Sequence, residues 1–323
     1  MSRLIIFALL FLWSATVSAQ DTVGPIGSVE AGDFRALAVT ADGSRLLIAD
    51  AENDQLRVYD FNDPATPTLI NSVDLEGEPV AVVAAEDFAL VAVRTPDSGD
   101  AVRVIAPSRY SRPQGWREIN SLDVQEGVSR LVIAPDNAWV LALSPRTYTL
   151  IELLSAGEIN WLPRDSALVD AAVGNDRAYL LNSSGLSTET LSANVTMQSA
   201  AALELDGAAR RISLNVRLTL GVIVLNESDL LLFDPDTLET VSTLTVDGAA
   251  ITDAQFVSGE QGEWLALTRE GSSDITLLDV SDPADISERE PLTTGFETSV
   301  QALTTYNELI IATDGQTVRI FQS

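Results

Sequence analysis

The chain has 323 residues, 46% of them hydrophobic, and a net charge of −28 that comes from 47 acidic residues against 19 arginines. It contains no Cys, His or Lys, which excludes disulfides, the usual zinc, copper and haem sites, and Ser-His-Asp or Cys-His nucleophile systems. Its negative field would repel nucleic acid and anionic lipid, so we expect neither as a partner. The acidic excess fits either a solvated surface or attraction of a cationic partner.

The first 19 residues have the three parts of a secretory signal. Arg3 supplies a basic start, Leu4–Trp13 an apolar run, and Val17–Ala19 a small-residue end, which predicts cleavage after Ala19. Ten apolar residues are too few to cross a bilayer, which takes about 20, so we expect no membrane span. We therefore expect a periplasmic or secreted protein whose mature chain, residues 20–323, forms a single domain.

One apolar strand pattern then recurs seven times at intervals of 38 to 50 residues: Leu46–Asp50, Leu90–Arg94, Val140–Ser144, Tyr179–Asn182, Val222–Asn226, Trp264–Thr268 and Leu309–Thr313. An apolar stretch closed by a turn precedes each copy. An alternating strand and then a fourth strand follow it. Four strands per repeat at this period predict an all-β fold, a seven-bladed β-propeller with four antiparallel strands in each blade.

The two ends of the chain complement each other. The seventh copy stops after its third strand, Thr317–Phe321, whereas an orphan strand, Val23–Glu30, precedes the first copy. We predict that this N-terminal strand completes the last blade, because a closed ring leaves no unpaired sheet edge.

Within this pattern, Leu56–Pro67 and Ile275–Ala284 resemble LVIVD repeats, and the strand ending Tyr179–Asn182 resembles YVTN repeats. The resemblance implies a seven-bladed propeller of the quinoprotein-like superfamily. It specifies the fold and leaves the function open.

Aligning the first strands of four successive repeats on their last apolar residue brings four charges to one register: Arg130, Asp170, Arg211 and Asp253. Alternating sign around a ring is what ion pairs between blades at the channel mouth require. The alternative is that the same charges bind a polar or anionic ligand in the channel.

The longest insertion, residues 109–117, joins a third to a fourth strand. It concentrates arginine and aromatic residues, which are enriched in interface hot spots: Arg109, Tyr110, Arg112, Trp116 and Arg117. We predict a partner-docking loop on the face opposite the channel mouth. The alternative is a surface turn that carries these residues without binding a partner.

The segment Asp50–Asp54 has a carboxylate at every second position, which makes it a candidate for weak Ca²⁺ binding. It lacks the Gly and the distal Glu of an EF-hand loop. A solvated turn is the alternative. No other metal site and no cofactor is predicted.

The favoured function is that of an exported, non-enzymatic module that binds another extracytoplasmic protein or a ligand. The alternative is a carboxylate-based or lactonase-like hydrolase or lyase acting in the channel. An enzyme of this kind needs a deep channel pocket with two carboxylates or a metal, whereas a protein-binding module is expected to have a filled channel and an exposed patch.

Overall fold

The computed structural model describes residues 24–30, 32–85, 88–95, 99–108, 115–124, 127–155, 158–165, 168–183, 185–191, 199–259 and 262–323. Regular secondary structure in these ranges is entirely β-strand, arranged in seven sheets of four antiparallel strands. The first strands of successive sheets contact each other around a closed ring, the last against the first. The protein is therefore a seven-bladed β-propeller, as the sequence predicts.

The blades are numbered in chain order, and each is given from its inner to its outer strand. Blade 1 contains β2 (Phe34–Val39), β3 (Arg45–Asp50), β4 (Gln55–Asp60) and β5 (Thr68–Asp74), and blade 2 contains β6 (Glu78–Ala84), β7 (Ala89–Arg94), β8 (Ala101–Pro107) and β9 (Trp116–Asp123). Blade 3 contains β10 (Arg130–Ile133), β11 (Trp139–Leu143), β12 (Thr147–Ser155) and β13 (Glu158–Asp165), and blade 4 contains β14 (Asp170–Val173), β15 (Arg177–Leu181), β16 (Gly185–Thr190) and β17 (Ser199–Glu204). Blade 5 contains β18 (Ala209–Leu214), β19 (Gly221–Leu225), β20 (Asp229–Phe233) and β21 (Thr240–Thr245), and blade 6 contains β22 (Ile251–Gly259), β23 (Gly262–Arg269), β24 (Thr276–Asp279) and β25 (Ser287–Glu288). Blade 7 contains β26 (Ala302–Tyr306), β27 (Leu309–Thr313), β28 (Thr317–Gln322) and, as its outer strand, β1 (Gly27–Glu30).

The start of the chain closes the ring. β1 pairs antiparallel with β28, from Gly27 opposite Ile320 to Glu30 opposite Thr317. The N–H of Ile26 extends the ladder by donating to the carbonyl oxygen of Ile320 at 2.8 Å. This confirms the predicted closure, with a strand shorter than the predicted Val23–Glu30. Val23 and the predicted signal peptide lie outside the described residues.

The hydrophobic core lies between the blades. The second strands β11 and β19 are buried along their whole length, because a neighbouring blade covers each face of the sheet. This explains why the recurring sequence signature is a continuous apolar run rather than an alternating one. The described residues include no helix long and apolar enough to cross a membrane.

A β-bulge at the start of each first strand sets which side chains enter the channel. In four blades the ladder register shifts there, between Phe34 and Ala36, Pro79 and Ala81, Ala209 and Arg211, and Ile251 and Asp253. In blade 3, the Ser129 N–H donates to the carbonyl oxygen of Leu143, the residue opposite Arg130. The same two-against-one arrangement occurs at Val169 and Asp170 and at Gln301 and Ala302.

The residue after the bulge is therefore equivalent in all seven blades, and a bulge is a common device for re-aiming a side chain beside a functional site. In blade order this position holds Ala36, Ala81, Arg130, Asp170, Arg211, Asp253 and Ala302. We call this set the bulge ring. The four charged residues do share one register, as the alignment predicts.

Candidate functional site

The first strands enclose an open channel. One cavity of about 700 Å³, called the upper cavity below, opens where these strands begin and extends along β2, β6, β10 and β26. A second cavity of about 500 Å³ lies toward the end where the first strands finish. Both cavities are lined by Arg130, Val132 and Gln255. Sites for small molecules usually have volumes of about 300–1,000 Å³, so the upper cavity alone is large enough for one.

The charged residues that line the channel are mostly arginines. Among the described residues, seven charged side chains line the two cavities: Arg35, Arg130, Arg211, Arg217 and Arg269, together with Asp253 and Glu270. The chain as a whole has 47 acidic residues against 19 arginines. Arginine is therefore enriched in the lining, but two of these five arginines are paired with carboxylates just outside it, Arg35 with Asp33 and Arg130 with Asp170.

The bulge ring divides the channel mouth into two arcs. Ala36, Ala81 and Ala302 come from blades 1, 2 and 7, which are neighbours in the closed ring, and all three line the upper cavity. These three residues form the alanine arc. The charged arc comes from the opposite four blades and consists of Arg130, Asp170, Arg211 and Asp253. Because alanine side chains are short, the space in front of the charged arc stays open. The channel is not filled, contrary to the expectation for a purely protein-binding module.

Arg130 and Asp170 form an ion pair between blades 3 and 4. Nη1 of Arg130 lies 2.7 Å from Oδ2 of Asp170, and the Asp170 side chain is only 1% exposed against 26% for Arg130. The same carboxylate oxygen accepts the backbone N–H of Ile212 in blade 5 at 3.0 Å. One buried carboxylate thus ties three successive blades together, which is the arrangement predicted by the structural interpretation of this register.

The pKa values of both partners in this pair are raised, but for different reasons. Burial raises the pKa of Asp170, and the nearby guanidinium of Arg130 offsets part of that rise. Burial by itself lowers the pKa of Arg130, but the carboxylates of Asp170 and Asp253 raise it overall. Arg130 therefore stays charged. Its positive charge reduces the free-energy cost of burying the Asp170 carboxylate.

Arg211 and Asp253 have no such partner. Within the described residues neither forms an ion pair: Arg211 donates from Nη1 to the carbonyl oxygen of Arg210 at 3.2 Å, and Asp253 accepts the backbone N–H of Ala254 at 2.9 Å. Both carboxylate oxygens of Asp253 also accept a hydrogen bond from Nε2 of Gln255, at 3.3 Å. Both side chains line the upper cavity, from adjacent blades.

The predicted docking loop is described only at its end. Arg109, Tyr110 and Arg112 lie outside the described residues. Trp116 opens β9 and is 8% exposed, packed in the core between blades 1 and 2, which differs from the expectation that it faces a partner. A large apolar ring at the start of a strand gains more from the core than from solvent. Arg117 is exposed.

The segment Asp50–Asp54 folds as a turn. The Asp50 side chain is fully buried, pairs with Arg57, and accepts the side-chain amide of Asn53 at 2.9 Å and the backbone N–H of Glu52 at 3.2 Å. These contacts occupy the carboxylate that the Ca²⁺ hypothesis requires. Among the described residues, no group of three or more acidic side chains is arranged to hold a metal ion.

No protein-family model matches the chain, and no curated protein matches it. Among solved structures, a chain from one titled "Crystal Structure of Mitotic Checkpoint Complex" aligns with 100% of this chain and 99% of its own length, with a TM-score of 0.70 and 10% sequence identity. The shared feature is the propeller fold. At that identity the likeness carries no information about ligand or partner.

Proposed function

We propose that this protein is an exported, non-enzymatic binding module, built from repeats of the YVTN and LVIVD type, that holds a small polar ligand in the upper end of its channel. The observation that carries the proposal is the open cavity in which Arg211 and Asp253 face the alanine arc without an ion-pair partner among the described residues. Charged groups left unpaired in a concave, partly shielded site are typical of ligand recognition.

The distribution of carboxylates supports binding rather than catalysis. Acid–base hydrolysis needs two carboxylates on either side of one bond. Asp170 is held by Arg130 and Ile212 and does not line either cavity. Of the two acidic residues that do, Asp253 lies on a first strand, whereas Glu270 is exposed in a loop at the rim. This arrangement favours the binding module over the carboxylate-based or lactonase-like alternative.

The proposal predicts that filling the alanine arc abolishes ligand capture. The mature protein is incubated with the low-molecular-mass extract of its source cells and analysed by native mass spectrometry. We expect a bound small molecule in the wild type and its loss in Ala36→Leu/Ala302→Leu, because both alanines are half-buried in the cavity lining and the added side chains reduce the space in front of the charged arc. Ala65→Leu/Ala284→Leu, at two exposed loop positions, is the matched control. The same adduct in all three proteins, or none in the wild type, would contradict a channel site.

A protein partner is a second candidate, favoured by an apolar patch on the side of blades 1 and 2. Leu69 and Ile70 of β5 are 49% and 44% exposed, and Ile119 of β9 is 40% exposed. The two outer strands lie side by side, since the Asn71 side-chain amide donates to the carbonyl oxygen of Trp116 at 3.2 Å. Exposed apolar side chains grouped in this way often mark a protein-binding surface.

Polar substitution of this patch is expected to reduce recovery of a partner. Mature protein carrying Leu69→Ser and Ile119→Ser serves as bait for the native envelope fraction, with wild type and Val241→Ser run in parallel. Val241 is 48% exposed on an outer strand of blade 5, so it controls for loss of surface hydrophobicity alone. A protein recovered by wild type and Val241→Ser but not by the double variant supports docking here; equal recovery by all three rules the patch out.

A further inference from the structure

The four charges of the bulge ring do not act alike. Arg130 and Asp170 neutralise each other at 2.7 Å, and the Asp170 carboxylate is closed off from the cavity. Three further charged residues line the same cavity, but Arg35 pairs with Asp33 at 2.8 Å and the buried Arg269 donates to Thr276 and to the carbonyl oxygen of Ala249. Glu270 is exposed at the rim. The charges left to meet a ligand inside the cavity are one guanidinium, Arg211, and one carboxylate, Asp253. They occupy equivalent positions on neighbouring first strands, β18 and β22.

This pair resists a ligand of either single sign. A simple anion on Arg211 would place its charge next to Asp253, and it would first have to approach a protein of net charge −28. A simple cation on Asp253 would lie beside Arg211 and within the field of Arg130, whose guanidinium already responds to Asp253. Like charges brought together in a shielded site oppose binding.

A molecule with both charges satisfies the two groups at once. Its carboxylate can accept hydrogen bonds from the Arg211 guanidinium, and its ammonium can donate to the Asp253 carboxylate. Such a molecule has no net charge, so the long-range field of the protein does not repel it. The alanine arc, with Ala36, Ala81 and Ala302, leaves room for its carbon skeleton on the opposite side of the cavity.

We infer that the ligand of the channel is a zwitterion, a small molecule with one carboxylate and one ammonium group such as an amino acid, oriented by Arg211 and Asp253. This inference rests on the proposed function, because it names the ligand class of the same cavity. In this arrangement Arg211 of blade 5 binds the carboxylate of the ligand, and Asp253 of blade 6 binds its ammonium group.

The test compares whole zwitterions with their halves. The mature protein is titrated calorimetrically with L-alanine, propionate and ethylamine, and with L-leucine, 4-methylpentanoate and isopentylamine. We expect at least one amino acid to bind ten times or more tightly than both of its halves. Arg211→Gln and Asp253→Asn should each weaken that binding at least tenfold. Arg210→Gln, which removes the neighbouring arginine that pairs with Glu227 on the surface, should leave it unchanged.

The outcomes separate this inference from the proposed function. If a carboxylate half binds as tightly as its amino acid, or if the extract yields a channel adduct while no member of the panel binds, the zwitterion assignment is wrong and the channel site stands. If neither the panel nor the extract yields a bound molecule, both are wrong. Equal losses in Arg210→Gln and Arg211→Gln would show that general surface charge, rather than the bulge ring, determines affinity.

Discussion

Removal of residues 20–31 from a protein that spans residues 20–323 is expected to lower the urea midpoint of unfolding and to make the protein self-associate. The deletion takes away β1, which completes blade 7. β28 then becomes an outer strand with a row of unpaired backbone groups, which is a template for pairing with another chain.

The size of the effect follows from what β1 buries and bonds. Val29 is 7% exposed and packs in one cluster with Val318, Ile320 and residues of blade 1. Burial of one such side chain is worth about 1.5–3 kcal/mol, and each ladder hydrogen bond adds about 0.5–1.5 kcal/mol before the cost of ordering the strand. We expect a loss of about 2–4 kcal/mol, on the scale of a severe single-site defect.

A smaller change should act in the same direction. A Cβ at Gly27 would overlap the carbonyl oxygen of Pro64 in blade 1, so Gly27→Val should displace β1 without shortening the chain. Deletion of residues 20–23 alone is the control, since it leaves β1 in place. A synthetic peptide spanning residues 24–31 should restore the midpoint of the 20–31 deletion, and the same peptide with Val29→Ser should do so less well. An unchanged midpoint after the full deletion would disprove closure by the N-terminal strand.

Arg130→Ala is expected to destabilise the protein by about 3–5 kcal/mol at neutral pH, measured by urea unfolding. The substitution leaves the Asp170 carboxylate buried without its cation, and breaking one partner of a buried pair typically costs this much. Arg130→Met/Asp170→Leu removes both charges and should recover most of the loss, because an apolar pair of similar volume is often as stable as the ion pair.

The loss should depend on pH. Burial raises the pKa of Asp170, so near and above the ordinary aspartate pKa of about 3.9 the folded state binds more protons at this site than the unfolded state. This site's contribution to stability is therefore greatest at acid pH and falls as pH rises through that window. Without Arg130 the pKa of Asp170 rises further, so the pH range in which the folded state binds the extra proton extends to higher pH. The loss of unfolding free energy caused by Arg130→Ala should therefore shrink when the pH is lowered from 7 to 5.

Arg210→Ala is the matched control for this prediction. Its guanidinium lies 3.8 Å from Glu227, and both side chains are largely exposed, so the change should cost less than about 1 kcal/mol. Equal stability of wild type and Arg130→Ala would mean that the Arg130–Asp170 contact does not stabilise the ring. A deficit independent of pH would mean that lost packing, rather than an unpaired carboxylate, is responsible.

The blade count and the closure were predictable because both depend on local patterns that repeat. Each second strand is covered by a neighbouring blade on both faces, so it has to be apolar throughout, and seven such runs in one chain are hard to mistake. The register of Arg130, Asp170, Arg211 and Asp253 was predictable for the same reason, since the bulge falls at one position in every repeat.

The character of the cavity was harder to predict. Alignment of four repeats found the charged arc, but Ala36, Ala81 and Ala302 are ordinary core residues in a single repeat, and only the three-dimensional ring places them together opposite the charges. Alignment of all seven first strands on the bulge would have found them. Arg35 and Arg269 were missed because they reach the cavity from the bulge itself and from the end of a second strand.

Two other differences reflect burial that short motifs do not reveal. Trp116 stands in an Arg-rich and aromatic segment, yet it lies at the strand end of that segment and packs between blades. Asp50 stands in an acidic turn with ligand-like spacing, yet its carboxylate is buried against Arg57, a residue of the next strand. In both cases a contact with another strand, which the motif itself does not report, determines what the side chain does.

The most direct test of the channel site is a crystal structure of residues 20–323 grown after incubation with the small-molecule extract of the source cells. We predict electron density for one small molecule between the alanine arc and the charged arc, with an acidic group on the Arg211 guanidinium and a cationic group on the Asp253 carboxylate. Ordered water alone in that space, with Arg211 and Asp253 turned to pair with each other, would contradict the account.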